Sequence, residues 1–393
     1  MKRLLVTIIL AFTLVLNATH LANALQGGND ASNSPHVVGI YGWSDNSNPS
    51  MFSGCSGAAI SPRIVFTASH CLLRLDSNNK LSADLKGNPF VGVLPTSAGL
   101  YVSLPGDPGL EGWKRGSRVI AQFALKESNN LREPYRDFGI LVLEKAITDQ
   151  TYKIATRAQI QRAIDDKNTL YALGYGFKSH QDFLNNMSGA GKDPKPTILE
   201  VKARETYWGL NNTQRNFSDG FTLTTLLPIG SALGGGDSGG PLWLIENNEW
   251  FFVGTACCSQ GPNAQFPQDH QSWTEQYSKS NPGGKYETAQ AYPTLIEEAQ
   301  LYLKQRIDEE KAAAEKVAAE LKAKQEAEAK AAAELKAKQE AEVNAAAEMK
   351  AKFEAKAKVA SLKKSTITCV KGKLTKKVTA VKPKCSSGYK IKK

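Results

Sequence analysis

The chain has 393 residues, enough for one large domain or two ordinary ones. Its net charge of +11 is unevenly spread: residues 25–300 carry 23 Lys/Arg against 26 Asp/Glu, whereas residues 301–393 carry 24 against 12. The front of the chain is therefore a near-neutral globule with no global pull on polyanions, and the basic character belongs to the last quarter.

Lys2 and Arg3, the apolar run from Leu4 to Leu16 and the small-x-small site Ala22-Asn23-Ala24 read as a secretory signal over residues 1–24. The run is short for a membrane span, so removal is expected, with an uncleaved N-terminal anchor as the alternative. A secreted, extracellular product is the expectation, and the compartment is then oxidising. The cysteines at 55, 71, 257, 258, 369 and 385 are thus candidate disulfides first. Their clustering makes Cys55–Cys71 and Cys369–Cys385 the simplest pairs and leaves Cys257 and Cys258 adjacent.

From residue 25 to 292 short apolar runs alternate with turn residues, for example His36–Tyr41, Ala58–Ala68, Phe138–Leu143, Leu170–Leu173 and Trp250–Ala256. Short strands at irregular spacing predict an all-β sandwich or barrel. From 293 to 364 the composition shifts to Ala, Glu, Lys and Gln, a long helix on propensity alone. The segment Ala-Ala-Glu-Leu-Lys-Ala-Lys-Gln-Glu-Ala-Glu occurs at 318–328 and again at 332–342. Leu321, Leu335 and Met349 recur every fourteen residues, but Glu328 and Glu342 stand between them and spoil a coiled-coil seam. Pairs such as Glu320–Lys324, Glu326–Lys330 and Glu334–Lys338 favour a solvated single-helix stalk of roughly 100 Å. A weakly self-associating coil is the alternative. Residues 365–393 hold nine lysines from Thr366 onward and no acid. Thr366–Val370 and Lys377–Val381 read as a hairpin turning at Gly372, closed by Cys369 and Cys385, because so small a unit needs a staple.

The chemistry concentrates in three places. Gly234-Gly-Gly-Asp237-Ser238-Gly-Gly-Pro241 is a glycine-crowded turn around one serine. Hydrolysis by serine needs an exposed Oγ and backbone N–H groups aimed at the oxygen that becomes negative, and Gly236 and Ser238 are the natural donors. Serine also needs a base. Of the five histidines (20, 36, 70, 180 and 270), His70 in Val65-Phe-Thr-Ala-Ser-His70-Cys71 follows an apolar strand and sits beside a cysteine that can pin the turn. The base in turn needs a carboxylate on its other nitrogen. Asp137, opening the strand Phe138–Leu143, is the candidate, although an aspartate at a strand start is often only a turn residue.

Together these blocks resemble the chymotrypsin/trypsin family over residues 25–300. Thr67-Ala-Ser-His70-Cys71, Asp137 before its apolar run, Gly174-Tyr-Gly176 and Gly236-Asp-Ser-Gly-Gly-Pro241 occur in the family's order. The resemblance implies two packed six-stranded β-barrels with the site between them, and a secreted serine endopeptidase acting through His70, Asp137 and Ser238. It implies a Cys55–Cys71 bridge clamping the histidine loop. It also implies that a freed ammonium at Leu25, released by cleavage after Ala24, pairs with Asp237. The expected base of the specificity pocket is Ala232, without the aspartate that holds Lys or Arg, so a non-tryptic preference for apolar or small side chains is expected. Cys257, Cys258 and Ser259 align with the usual pocket rim, and the two cysteines could form a vicinal disulfide, remain thiols or bridge elsewhere. The stretch from Gln260 to Thr288 is long for the family and is expected to cover the cleft.

The pattern calls for no metal and no cofactor. Protein or peptide substrates are the expected partners. The lysine-rich ending suits an anionic cell-envelope polymer, with a mere solubilising cap as the bland reading. Nucleic acid is not expected, since Tyr389 is the only aromatic there for stacking. The competing function is a protease-derived, non-catalytic adhesin whose tail carries the activity.

Overall fold

The computed structural model describes residues 28–43, 53–82, 88–107, 112–125, 137–176, 196–208, 221–228, 233, 236–260 and 283–393. The chain divides into two units, Met1–Ile307 and Asp308–Lys393.

In the first unit, strands β1 (Val38–Trp43), β2 (Ser53–Ser61), β3 (Ile64–Thr67), β4 (Gly99–Val102), β5 (Ser117–Ala124) and β6 (Gly139–Leu143) form a closed antiparallel ring. Its spatial order is 1-2-3-6-5-4. A second ring holds β7 (Thr169–Gly174), β8 (Thr197–Trp208), β9 (Phe221–Leu226), β10 (Pro241–Glu246), β11 (Glu249–Gln260) and β12 (Gly283–Thr288). Its order is 7-8-9-12-11-10, the same path repeated.

Three apolar cores follow from strand alternation. Along β6, Leu141 and Leu143 point into the first ring, while Ile140 and Val142 join a core shared by both rings. Along β10, Leu242 and Leu244 fill the second ring and Trp243 turns to the shared core. Strands buried on both faces explain why these segments read as continuous apolar runs rather than as alternating ones.

One long helix, α1, runs from Pro293 to Ser361. One face of its first turns is buried rather than solvated. Leu295, Ile296 and Ala299 are buried in the shared core, and Tyr302 and Leu303 pack against it. The boundary expected at 292/293 thus falls inside the first unit, which ends at Ile307. Beyond it the helix is exposed throughout, Leu321, Leu335 and Met349 included. Ion pairs along this part include Glu348–Lys352 at 2.6 Å and the reversed, longer Lys322–Glu326 and Lys324–Glu328 at 3.9 and 4.0 Å. Exposed pairs of this kind contribute little. No helix among the described residues is long and apolar enough to cross a membrane.

The ending forms three short strands, β13 (Ser365–Lys371), β14 (Leu374–Ala380) and β15 (Lys390–Ile391), with β13 in the middle. The second strand starts earlier than the expected Lys377. Lys371 pairs directly with Leu374, so the turn is only two residues long, and Gly372 supplies its positive φ of 60°. Cys369 is bonded to Cys385. Residues Gly283–Thr288, expected within a covering loop, are instead the wall strand β12 of the second ring. The loop's remainder, residues 261–282, lies outside the described residues.

Candidate active site

The site is built where β3 ends. After Thr67 the chain makes one 3-10 turn, Ser69–Cys71, and Cys71 is bonded back to Cys55 on β2. The turn is further pinned to Asp137: Ser69 N donates to the Asp137 carbonyl at 3.2 Å. The Asp137 carboxylate is then shared out. Oδ1 accepts from Ser69 Oγ at 2.7 Å and from His70 N at 2.9 Å, and Oδ2 faces His70 Nδ1 at 2.6 Å. An acceptor at Nδ1 holds the proton there and leaves Nε2 as the free lone pair. Only about one seventh of each side chain remains exposed, 14% for both.

The electrostatics of His70 are a contest. Burial pulls the imidazole down, the Asp137 charge and its hydrogen bond push it up, and the charge of Arg74 pulls it down again; the balance is above the ordinary histidine value. Arg74, only 1% exposed, is itself shifted down by burial and held up by Asp137.

Ser238 reaches this place on a separate loop. Gly240 N donates to Asp237 O at 2.8 Å, so Asp237 to Gly240 form a tight turn with Ser238 second and Gly239 third. Gly239 has φ +77°, and a Cβ there would collide with Thr67 Oγ1 and Ser56 O. Only glycine fits both demands. The turn is fastened to β11 by Gly239 N to Ala256 O at 2.7 Å and Ala256 N to Gly240 O at 2.8 Å. It is fastened to the first ring by Ser56 N to Ser238 O at 2.8 Å. Cys71 Sγ lies 3.6 Å from the same Ser238 carbonyl, which brings the Ser238 backbone beside the histidine turn. Ser238 is half-buried.

Asp237 is 1% exposed, and its Oδ1 accepts Gly176 N at 2.8 Å. A Cβ at Gly174 or Gly176 would meet that carboxylate. Gly236 precedes it with φ +94°. Of the expected pocket residues, Cys257 is buried on β11. Ala232, the side chains of Cys258 and Ser259, and Leu25 lie outside the described residues. Cys257 carries no disulfide bond, so of the three expected alternatives its sulfur remains a thiol rather than joining Cys258 or bridging elsewhere.

Cys55 Sγ, Cys71 Sγ and a His70 ring nitrogen lie within 4.8 Å of one another. The two sulfurs are bonded to each other, so they offer no thiolate to a metal. Two residues escaped sequence reasoning. Ser69 stands in the histidine block with no role assigned by the pattern, and Ser56 is not singled out by the sequence at all. The hydroxyl beside His70 was at least a visible signal; nothing local marked Ser56.

No protein-family model matches the chain. The chain is similar to Spermosin of Halocynthia roretzi, 21% identical over 220 residues, which are 54% of this chain and 50% of that protein. The chain thus spans about half the length of the curated relative it matches.

Proposed function

We propose that the first unit is a secreted serine endopeptidase of the chymotrypsin type, with Ser238 as nucleophile, His70 as general base and Asp137 as the orienting carboxylate. The observation that carries the reading is the 2.6 Å contact between His70 Nδ1 and Asp137 Oδ2 beside a separately anchored Ser238 turn. The similarity to Spermosin, a trypsin-like serine protease, supports a protease function, and the repeated six-strand rings suit the family's double barrel.

In this reading Ser238 Oγ attacks the substrate carbonyl while its proton passes to His70 Nε2. The negative Asp137 stabilises the imidazolium that forms. The N–H groups of Gly236 and Ser238 receive the developing oxyanion. The imidazolium then protonates the leaving amine, and water, deprotonated by the same base, releases the acyl group. Ala232 and the Cys257–Ser259 segment would form a non-tryptic pocket. Release of Leu25 by signal cleavage would supply the ammonium for Asp237. The lysine-rich ending would bind an anionic cell-envelope polymer, holding the enzyme at the surface.

The test is labelling with a fluorophosphonate at neutral pH. Wild type is expected to label and Ser238→Ala to lose the label completely. An unlabelled, correctly folded wild type would sink the enzyme reading in favour of the adhesin. Peptide-library cleavage by the same protein then reads the pocket; a preference for Lys or Arg would overturn the non-tryptic assignment.

A further inference from the structure

Ser56 sits on β2, fully buried, between the two rings. Four hydrogen bonds engage its N–H, carbonyl and hydroxyl. Its N–H donates to Ser238 O at 2.8 Å, and its carbonyl accepts Thr67 Oγ1 at 2.8 Å. Its hydroxyl donates to the Gly236 carbonyl at 2.7 Å and accepts the Tyr175 N–H at 2.8 Å. One small side chain thereby joins the first ring to the Gly174–Gly176 turn and to the loop that presents Gly236.

The Gly236 carbonyl matters because of what lies on the other side of that residue. With φ +94°, glycine can rotate its flanking peptides at little cost, so its own N–H has no intrinsic reason to face the site. A buried hydrogen bond on its carbonyl fixes one of those two peptides, the one between Gly236 and Asp237: turning it would strand both the carbonyl and the Ser56 hydroxyl without partners. We infer that Ser56 Oγ is a positioning residue that fixes the 236–237 peptide and, through it, the Gly236 Cα from which the oxyanion-facing N–H projects. The inference rests on the protease reading for its catalytic consequence, but not for the clamp itself.

Two variants separate the possibilities. Ser56→Ala removes the hydroxyl and leaves a methyl where no water fits. Ser56→Gly leaves a polar space the size of one hydroxymethyl group, in which a water can bridge Gly236 O and Tyr175 N. Two measurements are made on the full chain. Amide exchange followed by mass spectrometry reads the clamp without needing activity. Peptide hydrolysis reads its consequence, alongside inhibition by a peptidyl boronate and by a non-covalent peptide of the same sequence.

Ser56→Ala is expected to speed exchange at 174–176 and 236–240 while the rest of β2 keeps its protection. It should lower kcat about ten- to hundredfold with KM nearly unchanged, less than outright deletion of an oxyanion donor. Boronate affinity should fall in the same ratio while the non-covalent peptide binds as before, and Ser56→Gly should recover part of each loss. Unchanged exchange at 174–176 and 236–240 in Ser56→Ala would overturn the clamp. Equal weakening of boronate and non-covalent peptide, or loss of protection throughout the first ring, would reduce Ser56 to a packing residue. An inactive wild type would remove the protease reading, and exchange alone would then decide on the clamp.

Discussion

Asp137 is held by three donors, and each arrives by a different route. His70 supplies two of them, its ring and its backbone, and Ser69 supplies the third through its hydroxyl. A carboxylate with one donor fewer carries more unneutralised charge, which raises the pKa of the imidazole it faces. In the proposed mechanism His70 must be neutral to act, so activity in wild type should rise with pH through a midpoint above the ordinary 6.5. Ser69→Ala should move that acid limb to still higher pH, lower kcat and cost about 1.5–3 kcal/mol of stability, the usual worth of a hydrogen bond to a charged group. Ser69→Thr, which keeps the hydroxyl, should restore the limb. A pH–rate profile of the three proteins checks this, and an unmoved limb in the alanine variant would leave Ser69 a merely structural serine. At this scale His70, Asp137 and Ser238 are legible in the sequence as candidates, because each sits in a block whose neighbours are constrained by the proposed chemistry. Ser56 and Ser69 are invisible for a physical reason: their partners lie 180 and 68 residues away, and no local pattern encodes such pairings.

The long helix shows how one element can serve two ends. Its composition from Pro293 onward is uniform enough in helix propensity that a boundary there is the natural reading. Yet Leu295, Ile296, Ala299, Tyr302 and Leu303 mark one apolar face at helical spacing, and the structure buries that face in the core shared by the rings. The entry to the helix is fixed as firmly. Tyr292 Oη donates to Glu287 Oε2 at 2.6 Å, both groups buried, and the Tyr292 ring stacks on Phe138 at 4.7 Å, next to Asp137. Leu295 and Ile296 alone contribute about 1.5–3 kcal/mol each, so with the rest of the face the first turns supply on the order of 5 kcal/mol. That is comparable to the total stability of an ordinary domain, about 5–15 kcal/mol. A chain ending at residue 307 should therefore fold and label with fluorophosphonate like the full protein, whereas one ending at 292 should be unfolded or aggregated. Circular dichroism melts and labelling of the two truncations check it; equal behaviour would mean that the helix face adds nothing.

At the scale of the whole first unit, the two rings repeat one path, 1-2-3-6-5-4 and 7-8-9-12-11-10, without any repeated sequence. A strand order of this kind is carried by pairing partners far apart in the chain, which is why apolar runs revealed strands but not their circuit. What joins the rings is a shared apolar core, and a half-buried histidine packs against its aromatic side chains. His36, just before β1, stacks on Trp250 at 3.8 Å and meets Tyr152 and Trp243 edgewise or tilted at 5.3 and 5.4 Å. Its carbonyl accepts the Trp243 indole N–H at 3.0 Å, while its Nδ1 is buried with no hydrogen-bond partner among the described residues. Burial lowers its pKa to about 4. The unfolded chain, with an ordinary histidine near 6.5, thus binds a proton that the folded chain refuses between those two values. This contribution to stability is complete above about pH 6.5 and is lost as pH falls towards 4 and protonates the half-buried ring. His70 contributes with the opposite sign, since its raised value favours the folded state at low pH and its contribution fades as pH rises through that value. His36→Phe keeps an aromatic ring among the indoles and removes the proton. Urea midpoints measured from pH 7 down to pH 4 should therefore fall less steeply for His36→Phe than for wild type, and parallel curves would place the acid sensitivity of the ring interface elsewhere.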